Sequence, residues 1–173
     1  MKSQLTAVIL TACMLLSGCA SADRRIVLDP VGPLPSRPAT GSGNGSLLVF
    51  SAFSVEMPSN KRPDHLHHTD YKIFTQDGRL FQAVHNDYDN SWEGPRKVEL
   101  PSGSYRVRAR ADCYGVVTVP VVIEPHEVTE VHLEGRAVWP RESARLRNNL
   151  VRLPGGEIVG WRAAESATVT VTP

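Results

Sequence analysis

From Leu47 to Gly135 apolar and polar residues follow the two-residue period of half-buried β-strands. In "YRVRARA", Tyr105, Val107, Ala109 and Ala111 alternate with Arg106, Arg108 and Arg110, which predicts one buried and one wet face. "LLVFSAFSVE" is a continuous apolar start, and Asp77-Gly78 lies between two strand-like runs, a strong short hairpin signal. Pro101-Ser102-Gly103-Ser104 and Glu124-Pro125-His126-Glu127 mark two more turns. About seven short strands follow, at the turn spacing of an Ig-like β-sandwich, and no amphipathic helix precedes residue 136. The expected fold is therefore all-β, with the sandwich over 47–135 and a C-terminal extension over 136–173. Within that extension Leu150–Leu153 and Glu157–Arg162 flank Pro154-Gly155-Gly156, predicting a hairpin that packs on the sandwich through Trp161 and Trp139. Arg141 to Asn149 fits a short helix or a loop, and the closing Thr-Val alternation fits a last strand or a frayed tail.

The N-terminal text is of another kind. Lys2 precedes a twelve-residue apolar core, Leu5 to Leu16, far short of the roughly 20 residues a membrane-spanning helix needs. Residues 1–18 read as a signal peptide. Residues 20–46, dense in Pro, Gly and Ser without an apolar period, read as a flexible tether that lifts the module off a membrane.

Leu16-Ser17-Gly18-Cys19 resembles the bacterial lipobox. The resemblance implies cleavage before Cys19, a diacylglycerol on its sulfur and a further acyl chain such as palmitate on the new amino terminus. Two or more chains hold a protein stably, since each buried methylene contributes about 0.8 kcal/mol. Ala20 stands where Asp marks inner-membrane retention in Gram-negative lipoproteins, which implies the outer membrane. Further along, Leu100, Pro101, Gly103, Tyr105 and Tyr114 within Glu99–Gly135 resemble the carboxypeptidase regulatory-like modules. These have a prealbumin (transthyretin-like) β-sandwich, and their motifs specify a fold and no active site. Cys113 stands where such modules often carry glycine.

Composition narrows the partners. Of 173 residues, 155 remain without the signal peptide, enough for one domain with a sizeable core. Lys2 is the only charge lost, so eighteen Lys and Arg face eighteen Asp and Glu. A formal charge of zero makes no electrostatic case for nucleic acid or for an anionic surface. With Cys13 lost in the signal and Cys19 expected to carry lipid, Cys113 has no intrachain disulfide partner and is expected as a small buried hydrophobe rather than a reactive thiol.

No Gly-x-Ser-x-Gly, His-Glu-x-x-His, Cys-x-x-Cys or phosphate-binding glycine loop occurs, so no enzyme and no cofactor beyond the lipid are expected. One constellation is suggestive. A two-residue turn at Asp77-Gly78 pairs residues whose numbers sum to 155, setting Asp70 against His85 and His68 against Asp87, with Tyr71, Ile73, Leu80 and Val84 on the core face. The four groups fit two readings: a site for zinc or another borderline divalent ion, or a polar outer face whose opposite residues hydrogen-bond. Tyr88 and Trp92 in "HNDYDNSWEGP" likewise fit a sugar-stacking loop or a hairpin loop folded over the core edge. The Arg106, Arg108, Arg110 stripe fits an acidic partner or polysaccharide, or a solvated strand face. The leading expectation is a non-catalytic envelope lipoprotein, held to the membrane by its lipid, whose sandwich meets an envelope protein or polysaccharide. The alternative is a small-ligand binder at the same place.

Overall fold

The computed structural model describes residues 26–35, 41–54, 67–86, 94–135 and 148–164. Cys19, Asp87, Tyr88, Trp92 and Trp139 lie outside the described residues, as do the signal peptide and the Thr-Val end. Among the described residues ten strands form two sheets. In the first, β2 (Asn44–Phe50) runs antiparallel to β5 (Val98–Pro101) and parallel to β8 (Val128–His132), giving the order β5-β2-β8. The second contains β1 (Val31–Gly32), β3 (Tyr71–Thr75), β4 (Leu80–Val84), β6 (Gly103–Ala111), β7 (Gly115–Ile123), β9 (Leu150–Arg152) and β10 (Ile158–Arg162). Its order is β4-β3-β6-β7-β1-β10-β9. The arrangement is sandwich-like, and the seven strands β2 to β8 fall in the stretch where the two-residue period predicts about seven.

The alternation on β6 is realised. Tyr105, Val107, Ala109 and Ala111 are buried, and Arg106, Arg108 and Arg110 are exposed. Opposite them β7 buries Val117, Val119, Val121 and Ile123 along a nine-pair ladder. The smaller sheet contributes Leu47, Val49, Val98, Leu100 and Val131 to the same core. Tyr105 pins the β5–β6 corner, its hydroxyl donating to the Pro101 carbonyl at 3.1 Å.

Three readings need correction. The proline-rich segment is not tether throughout: Leu28 and Val31 are buried in the core and Ile26 packs against it. Val31 pairs with Val121 on β7 and with Arg162 on β10, while the Ala163 N–H donates to the Pro30 carbonyl at 2.8 Å. Two prolines hide this strand from a period count, because it pairs only two residues. As a result the C-terminal hairpin, formed where predicted and with Trp161 buried, is continuous with the larger sheet through β1 rather than an appendage on it. Gly160 permits that fit, since a Cβ there would lie 2.4 Å from Val31 Cγ1 and 2.8 Å from the Glu130 carbonyl oxygen.

Cys113 is exposed rather than buried. It sits in the three-residue loop between Ala111 and Gly115 with φ of 62°, a left-handed turn conformation that turns its side chain to solvent. Next to it, the Tyr114 hydroxyl donates to Glu157 Oε2 at 2.9 Å and accepts the Gly155 N–H at 2.7 Å, joining two hairpin ends. Finally, Leu80 is exposed while Tyr71, Ile73 and Val84 are buried. The turn between β3 and β4 has three residues between the bonded pair Thr75 and Arg79, the Thr75 N–H lying 2.9 Å from the Arg79 carbonyl and Gly78 at φ of 86°. Leu80 therefore pairs with Phe74 and faces outward.

If β1 is part of the fold, Val31→Ala should cost about 2 kcal/mol, the loss of two buried carbons and their contacts. Urea unfolding reads this directly. A change within about 0.5 kcal/mol would mark residues 26–35 as tether after all.

Candidate functional site

Half of the predicted histidine patch assembles. Beyond Phe81 the β3–β4 register returns to a sum of 155, seen in Tyr71 opposite Val84 and Lys72 opposite Ala83. Asp70 and His85 therefore meet, with His85 Nδ1 2.9 Å from Asp70 Oδ1. Both side chains are well exposed, so the pair contributes little stability, about 0–1 kcal/mol. Asp70 also accepts the Asn86 N–H at 3.0 Å. Asn86 is buried and ties the strand ends together: its Nδ2 donates to the Val49 carbonyl at 2.9 Å and to Ser51 Oγ at 3.1 Å. Its Oδ1 accepts the Arg96 N–H at 3.1 Å. The Ser51 hydroxyl is itself committed to the Thr69 carbonyl at 2.6 Å.

His68 goes elsewhere. It bridges to Phe53 instead of continuing β3, and its Nδ1 lies 2.5 Å from the Ser51 carbonyl oxygen. Its ring stacks on Phe53 at 4.6 Å and meets the edge of Phe50 at 5.9 Å. Among the described residues no three His, Cys, Asp or Glu side chains gather as a metal-ligand set. Asp87, the fourth predicted ligand, is outside those residues, as are the sugar-loop candidates Tyr88 and Trp92.

Sequence reading missed His132. Its ring stacks on Phe50, 4.3 Å away and nearly parallel at 8°, so that Phe53, His68, Phe50 and His132 form a chain of ring contacts. Glu130 and Glu134 flank it, with Nδ1 2.9 Å from Glu134 Oε1 and Nε2 3.6 Å from Glu130 Oε2. The signal was present: Glu130, His132 and Glu134 alternate, and two-residue spacing on a strand puts side chains on one face. Burial of His132 opposes its charge more than any other single influence, but the two carboxylates together outweigh it and raise its pKa above the ordinary 6.5.

The two outer faces of the sandwich differ in charge. On the smaller sheet, Glu99 lies beside Ser46, and Glu130 opposite Leu48. On the larger sheet, Lys72 is directly opposite Arg108, between Arg106 and Arg110. No ion pair reaches any of these four cations among the described residues. The chain's balanced total thus conceals a basic outer face on the larger sheet, while on the smaller sheet Glu99 has Lys97 3.8 Å away and Glu130 and Glu134 flank His132. No family model matches the chain, and neither does a curated protein or a solved structure.

His132 makes stability depend on pH with a definite sign. Above about pH 6.5 the unfolded chain releases the imidazole proton while the folded chain still holds it. The folded state then binds more protons, and stability falls as pH rises through the folded value. Urea unfolding should show lower stability at about pH 8 than at about pH 6, and His132→Gln should flatten that difference. An unchanged slope in the variant would show that His132 is not the group responsible.

Proposed function

We propose that the chain is a non-catalytic envelope lipoprotein, acylated on Cys19 and sorted to the outer membrane, whose sandwich serves as an interaction or structural module. The observation that carries this reading is the run from Leu5 to Cys19, a short apolar core closed by Leu16-Ser17-Gly18-Cys19. Among the described residues no helix is long and apolar enough to cross a membrane, so anchoring falls to Cys19. For the module itself we propose the prealbumin-like type. The corner held by the Tyr105 hydroxyl, and Cys113 in a left-handed conformation where regulatory-like modules often have glycine, support that assignment.

Cys19→Ser should remove the thiol that receives diacylglycerol and leave a soluble or uncleaved form. Radiolabelled palmitate incorporation and fractionation of cells measure this. A variant still acylated and equally membrane-bound would exclude the lipid anchor at Cys19.

A further inference from the structure

We propose that the outer face of the seven-stranded sheet docks flat on an anionic phospholipid membrane, a reading that rests on the lipid-anchored module above and gives it a surface. The register builds this face in rows. Ala83, Lys72, Arg108 and Thr118 lie side by side across four strands. In the next row Leu80 and Phe74 adjoin Arg106, and Arg110 stands opposite Val116. Like charges directly opposite on neighbouring strands are destabilising, and among the described residues no carboxylate forms an ion pair with Lys72 or Arg108, which face each other. Asp70, two residues before Lys72, is engaged by His85 and the Asn86 N–H. A cost of this kind, kept in the free protein, is relieved when phosphates arrive.

The apolar content selects the partner. Leu80 and Val116 are 56% and 62% exposed among the cations. A headgroup layer takes both, with phosphates on the cations and apolar side chains at the acyl boundary, whereas an acidic polysaccharide offers nothing to Leu80 or Val116. The opposite face offers no comparable attraction, since its carboxylates Glu99, Glu130 and Glu134 already have Lys97 or the His132 ring beside them, so the basic face sets the orientation. Tether length agrees. With Ile26 already packed against the core, seven residue steps separate it from Cys19, at most about 25 Å of extended chain.

The test uses the full chain carrying Cys19→Ser, sedimented with vesicles of phosphatidylcholine alone or mixed with phosphatidylglycerol. The leader, with Lys2 and the amino terminus, adds the same anionic preference to every variant, so the readout is the change in the ratio between parent and variant. Phosphatidylglycerol should raise binding, and high salt should erase the gain. Arg106→Gln with Arg108→Gln should cut the gain about 25-fold, or about fivefold per cation. Arg108→Gln alone should weaken binding without lowering the melting temperature, because it also relieves Lys72. Equal binding to both vesicles, or an undiminished gain in the double variant, would overturn the proposal. So would preference for soluble dextran sulfate over the anionic vesicles. Because Cys19 is replaced throughout, failure here is separate from failure of acylation, which palmitate labelling reads.

Discussion

The structure depends on the β6–β7 ladder. Nine residue pairs, from Gly103 opposite Ile123 to Ala111 opposite Gly115, hold two strands whose side chains alternate between faces. The inner rows supply much of the core: Tyr105, Val107 and Ala109 from one strand, and Val117, Val119, Val121 and Ile123 from the other. A slip of one residue would turn Arg106, Arg108 and Arg110 inward, and burying an unpaired charge costs far more than a valine contributes. The register is therefore closed to alternatives. The same constraint forces the three arginines onto one outer face, and the pairing with β3 adds Lys72 to them. Core and basic face are two consequences of one period.

Local pattern made the strands legible where each strand's neighbour is also near in sequence. The β6–β7 and β9–β10 hairpins and the turn over Glu124-Pro125-His126-Glu127 all follow from residues within a few positions of each other. His126 takes φ of 63° after Pro125, as the second central residue of such a turn does. What stayed hidden depends on distant partners. Val31 becomes a strand only because Val121 and Arg162 come to it from either side. Nothing in "LDPVGPLP" announces that, and the prolines argue against it. The expected tether consequently shortens, because Ile26, Leu28 and Val31 belong to the folded module.

The histidines show the same limit at the scale of a site. Asp70 and His85 were brought together by a register that the sequence predicts for the wrong reason. The loop is one residue longer than Asp77-Gly78 implies, and the bulge at Phe81 restores the count. Leu80, between the two irregularities, is the residue that changes face. His68 departs because the chain leaves β3 for Phe53, a contact no spacing rule contains. His132 was readable from Glu130-Val131-His132-Leu133-Glu134, yet its burial comes from Phe50 across the sheet, so its raised pKa belongs to tertiary packing. Net charge misled in a related way. A balanced sum hides a basic face that only the strand register reveals.

The central claim, which rests on the proposed lipid anchor at Cys19, is that this basic face orients the module on an anionic membrane. Nitroxide labels on Thr118→Cys, in the row with Lys72 and Arg108, and on Glu99→Cys, on the opposite sheet, test it most directly in the lipid-anchored protein with Cys113→Ser. Accessibility to a water-soluble and to a lipid-soluble relaxing agent is measured for each label on membranes containing anionic phospholipid. The account predicts that the Thr118 label is shielded from the aqueous agent and reached by the lipid-soluble one, while the Glu99 label behaves as fully hydrated. Equal aqueous accessibility at both positions would contradict it.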